Sequence, residues 1–194
     1  MTRDRENFWV FGYGSLMWHP DFPFEQAECA LVRGYHRALC ALSSRYRGTL
    51  EKPGLVVGMD RGGACLGRAY RIAPRRIEEV TAYLHARELK SGVYQARHVD
   101  IVTRTGERVR AYTFVVCRDS PLYTGKIAFD RQVELVLQGH GERGTSLEYL
   151  ANTVAHLEGM SIPCEALRAV LEQAQQVYRD RGNERPFRRQ PHLE

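Results

Sequence analysis

No uninterrupted run of about 18 apolar residues occurs in the chain, the length a helix needs to cross a bilayer. Its start, residues 1–7, is charged and leads into no apolar signal segment, so no secretory leader is expected. Cysteine is scarce: five residues, Cys29, Cys40, Cys65, Cys117 and Cys164, form no Cys-x-x-Cys pair. Such an odd, scattered set argues against a disulfide framework and a cysteine zinc site, and it fits a reducing cytoplasm. No two of the seven histidines stand at metal-ligand spacing, so no metal site is expected. Familiar glycine signatures are incomplete as well. Gly139 to Gly144 lacks the Gly-Lys-Ser/Thr of a phosphate loop, and a connection between helices is the better reading. Gly12-Tyr13-Gly14 lacks the third glycine of a dinucleotide turn, and Ser15 lacks the second glycine of a nucleophile elbow.

What is present suits a folded domain. The chain has 194 residues, 43% hydrophobic and 26% charged, enough for a core without covalent staples. Net charge is +5, densest in the last sixteen residues. The expected layout is one domain over residues 8–178 and a solvated basic tail over 179–194. A modest positive field attracts a small acidic substrate as readily as a nucleic acid, and neither a nucleic-acid nor a membrane partner is expected.

Periodicity predicts strands first: Trp9 to Phe11, Ala30 to Leu42, and a hairpin of 55–59 and 65–72 turning at Asp60–Gly63. Pro74 opens a helix to about Lys90. Strands 93–104 and 108–117 follow, and the remainder is helical, with capping-box spacing at Thr145–Glu148. Strands, one helix, a strand pair and then helices make an α+β fold, with a curled, largely antiparallel sheet and helices packed on it.

Two features break the pattern. After the strand Trp9-Val10-Phe11, the chain runs into Gly12-Tyr13-Gly14-Ser15-Leu16-Met17, where glycines permit a sharp turn and successive N–H groups can face an anion. In the first helix, Ile77, Val80 and Leu84 form one stripe at helical spacing, and its next member is Glu88. Burial and a helix C-terminus both tune such a carboxylate toward neutral pH, as a general base requires. Plain packing accounts for each feature separately: a strand-to-turn transition with a buried tyrosine, and a frayed helix end or an Arg–Glu pair.

Read together, these residues carry a resemblance. Phe11-Gly12-Tyr13-Gly14-Ser15-Leu16-Met17-Trp18 resembles the N-terminal signature of the ChaC-like γ-glutamylcyclotransferases, and Arg87-Glu88 followed by Gly92 and Tyr94 is similar to that family's catalytic segment. Arg47-Gly48, Lys52-Pro53-Gly54, residues 67–71, residues 121–125 and Glu148-Tyr149-Leu150 extend it in order across residues 8–178. One departure is Val93, standing between Gly92 and Tyr94 where the family often has a second glycine. The resemblance implies a γ-glutamylcyclotransferase-like fold with a barrel-like sheet. It implies cleavage of glutathione to 5-oxoproline and cysteinylglycine without a cofactor. Glu88 would be the acid/base, and Gly12, Tyr13, Gly14, Ser15, Leu16 and Met17 the γ-glutamyl-binding turn. Tyr123, Tyr94, Tyr149 and Arg47 would be pocket residues. Two other readings stay open at this point: the same reaction on a different γ-glutamyl amine, and a non-catalytic basic binding module.

Overall fold

Strand β1, Phe8–Gly12, is bulky and almost wholly buried, as a strand flanked on both edges should be. It pairs antiparallel with β3, Gly54–Ile72, placing Phe8 opposite Ile72 and Gly12 opposite Arg68. Its other edge pairs in parallel with β5, Arg108–Val116, at Trp9 and Val10. With β2, Gln26–Ser43, and β4, Tyr94–Thr103, the strands close into a barrel in the order β1-β3-β2-β4-β5. The sheet is therefore mixed, combining the parallel β1–β5 pairing with antiparallel pairings at β1–β3, β2–β4 and β4–β5. This computed structural model describes residues 7–182. The expected basic tail lies outside the described residues from position 183 onward.

Two units divide the chain: residues 7–37 with 58–117, and residues 38–57 with 118–182. In the first, Pro74–Arg76 forms a 3-10 turn that feeds helix α1, Ile77–Glu88. Val80 and Leu84 are fully buried against Val10, Tyr70, Ile72, Tyr112 and Phe114. Burial of each such side chain is worth about 1.5–3 kcal/mol, and it fixes the rotation of α1 about its own axis. A second 3-10 turn, Leu89–Ser91, ends at Gly92, whose φ of 73° is a left-handed helix stop.

The hairpin expected at 55–72 is not formed. Strand β3 runs unbroken through Asp60–Gly63, and Gly62 and Gly63, at φ of 98° and 71°, make an irregularity inside it. Tight turns and strand bulges use the same glycine freedom, so composition alone does not separate them.

The second unit holds the end of β2, the start of β3, and helices α2, Phe129–Gln138, α3, Ser146–Gly159, and α4, Glu165–Asp180. The segment 139–144 does connect two helices. It does so through a small hairpin of β6, His140–Gly141, and β7, Gly144–Thr145. Thr145 and Glu148 form the capping box that starts α3. Backbone packs on backbone here. A Cβ on Gly54 would lie 2.1 Å from Arg47 O, and one on Gly139 would lie 2.3 Å from Gly54 Cα. The Ser146 hydroxyl closes the junction by bonding both the N–H and the carbonyl of Leu55.

Candidate active site

The first unit builds its site where β1 ends. A Cβ on Gly12 would lie 2.8 Å from Leu16 Cβ, so the tight return of the chain requires glycine there. Ser15–Met17 then forms one 3-10 turn, with Gly14 accepting from the Met17 N–H. Side chains from the surrounding elements take up the loop's carbonyls. Arg37 Nε donates to Tyr13 O at 2.6 Å. Tyr70 Oη donates to Leu16 O at 2.7 Å and lies 3.1 Å from Met17 O. Arg87 Nη1 donates to His19 O at 2.6 Å. Burial pushes the Tyr70 phenol well above its ordinary range, which keeps it a donor. Ser15 and Leu16 occupy the first positions of the turn, where N–H groups have no intrahelical partner. Among the described residues, no acceptor meets these two N–H groups.

Glu88 is the last residue of α1, one turn beyond the fully buried Leu84. Its side chain is 18% exposed, and Oε1 lies 3.1 Å from Arg87 Nε. That contact sets the carboxylate beside a permanent positive charge. The same guanidinium donates from Nη2 to Ser15 Oγ at 2.9 Å. One side chain thus brings the Gly12–Met17 loop and Glu88 together. Tyr94, at the start of β4, is half-buried against the apolar cluster beneath α1.

The remaining expected site residues belong to the second unit. The Arg47 guanidinium lies 5.6 Å from the Tyr149 ring centroid, and Nη1 donates to Thr145 O at 3.3 Å. Burial pushes Arg47 below the usual guanidinium range, opposed by Tyr149 and Glu148. Tyr123 bridges to Ala41 and lies 6.0 Å from the Arg118 guanidinium. The support given by Arg37 and Tyr70 was not anticipated from sequence. An arginine inside a strand and a tyrosine in an apolar one carry no local signal, and only the fold directs them at the loop.

A model of the ChaC-like protein family matches residues 8–178. A zebrafish (Danio rerio) protein named glutathione-specific gamma-glutamylcyclotransferase 1 is 30% identical over 164 residues, 82% of this chain and 82% of that one. A glutathione-specific gamma-glutamylcyclotransferase from Escherichia coli K12 is 29% identical over 168 residues, 87% of this chain and 73% of that protein. The crystal structure of a selenomethionine-labelled gamma-glutamyl cyclotransferase specific to glutathione, from yeast, superposes with a TM-score of 0.78. It covers 88% of this chain and 96% of its own at 22% identity, and so attests the shared fold. The chain belongs to the ChaC-like protein family.

Proposed function

We propose that this chain is a γ-glutamylcyclotransferase that degrades glutathione, a lyase releasing 5-oxoproline and cysteinylglycine. One observation carries the reading: a loop whose carbonyls are engaged and whose Ser15 and Leu16 N–H groups are unmatched is tied through Arg87 to the Glu88 carboxylate.

In this mechanism the γ-glutamyl α-amine attacks its own γ-carbonyl carbon. Glu88 takes a proton from the amine, the five-membered ring closes, and the γ-carbonyl oxygen gains negative charge. The C–N bond to cysteine then breaks, and the proton passes from Glu88 to the departing nitrogen. The nucleophile belongs to the substrate, so Ser15 positions and does not attack. The loop N–H groups stabilise the substrate carboxylate or the developing oxyanion, and holding the γ-glutamyl chain folded contributes through orientation. Gly12, Tyr13, Gly14, Ser15, Leu16 and Met17 form the γ-glutamyl turn in this proposal. Tyr94, Tyr123, Tyr149 and Arg47 are its further substrate-binding candidates.

No helix among the described residues is long and apolar enough to cross a membrane. Among the described residues the five cysteines join in no disulfide, and the reducing cytoplasm is the proposed location. The test is incubation with glutathione and detection of 5-oxoproline, with γ-glutamyl-alanine in parallel. Release from glutathione is expected. Release from γ-glutamyl-alanine alone would move the substrate to another γ-glutamyl amine, and no release from either would end the reading.

A further inference from the structure

Arg87 is charged, yet its side chain is only 5% exposed. Removing a guanidinium from water costs several kcal/mol unless partners surround it. Here the partners lie in three directions. Nη1 donates to His19 O and, at 2.9 Å, to Tyr83 Oη, and it lies 3.5 Å from Asp21 Oδ2. Nη2 donates to Ser15 Oγ. Nε faces Glu88 Oε1. Adjacent residues on a helix point about 100° apart, so helix geometry does not make this last pair by default. Asp21, with φ of 56°, is itself held by Tyr83 Oη at 3.2 Å and by an ion pair with His19 Nδ1. The Ser15–Asp21 segment is thus fastened to α1 through the Arg87 guanidinium, which reaches Ser15, His19 and Asp21, and through Tyr83 Oη at Asp21 alone.

The geometry points to Arg87 as a positioning residue that holds the Ser15–Asp21 loop and the Glu88 carboxylate in one fixed relation, with Ser15 Oγ as the latch. The inference rests on the reaction proposed above and adds a requirement to it. Charge beside Glu88 is not sufficient, because the planar fork must reach the loop and the carboxylate together. Lysine keeps the charge but presents one compact ammonium and cannot serve all three directions. A purely structural clasp would instead change the stability of the fold and leave turnover per folded molecule alone.

The test compares the full-length chain with Arg87→Lys and Ser15→Ala. It measures kcat and KM for glutathione per folded molecule, together with amide exchange at Met17, Trp18 and His19, whose N–H groups bond to Gly14 and Ser15 carbonyls. In R87K, kcat is expected to fall by about tenfold or more, by a larger factor than KM rises. Exchange of the three loop amides should accelerate by about tenfold while the barrel strands keep their protection. S15A should show a smaller version of both effects, and the double variant should be no worse than R87K alone. An R87K kcat within about twofold of the parent, or unchanged loop exchange, would overturn the inference. Should R87K fail to fold, S15A decides by the same two readings. Should the parent release no 5-oxoproline, the proposed reaction fails by itself, and unchanged loop exchange in R87K still overturns the positioning role.

Discussion

Glu88→Gln keeps the shape and most of the polar contacts of Glu88 while removing its ability to take a proton. Loss of a general base costs about 10²–10⁴-fold in rate, so kcat for 5-oxoproline release should fall by that factor while substrate affinity is nearly intact. Steady-state kinetics beside a binding titration checks both halves, and ordinary turnover by E88Q would remove Glu88 from the chemistry. Glu88 and Gly12 were legible in the sequence because each contradicts its surroundings: a carboxylate in an apolar stripe, and a glycine ending a bulky strand. Arg37 and Tyr70 contradict nothing locally. Their work is to take up loop carbonyls from residues 24 and 54 positions away in sequence, and no window on the sequence spans that distance.

At the scale of elements, α1 delivers Glu88 to its place, and Leu84 fixes α1. Leu84 is fully buried, packed with Val80 on the barrel. Leu84→Ala removes that packing and leaves a cavity, at a cost of about 2–5 kcal/mol. The urea midpoint should drop accordingly, and a loss below about 1 kcal/mol would mean that α1 is anchored elsewhere. The helix was readable because its apolar spacing and its opening proline agree with each other. The same agreement marked α3 through its capping box. For β3 the signals conflict, since Gly62 and Gly63 have turn composition inside an apolar run, and the outcome is set by strand neighbours on both sides. The closed barrel was expected only in outline, because its closure depends on the parallel β1–β5 pairing of strands about a hundred residues apart.

For the whole molecule, two buried phenols and one half-buried one set the alkaline limit. Desolvation raises Tyr70, Tyr83 and Tyr112 above the ordinary value of 10.0, Tyr70 most of all. Unfolded, these groups lose their protons near pH 10; folded, they retain them, so the native state binds more protons and stability declines as pH rises. Their contribution is complete below pH 10 and is lost above it, by at most about 1.4 kcal/mol per pH unit for each fully shielded group. Tyr83 is only half-buried and contributes less. Denaturant midpoints from pH 8 to 11 should therefore be level and then fall, with a shallower fall in Tyr70→Phe; equal slopes would show that Tyr70 does not govern the decline. The division into two units has a consequence for descent. Each unit is assembled from two separated stretches of chain, 7–37 with 58–117 and 38–57 with 118–182. A single crossover between related genes cannot exchange one unit and keep the other whole: replacing residues from 118 onward leaves Gly54 and Leu55 of the old parent packed on Gly139 and Ser146 of the new. Natural chimaeras that exchange a whole unit are thus expected to need three compatible breakpoints, after residues 37, 57 and 117, and its halves to be inherited together.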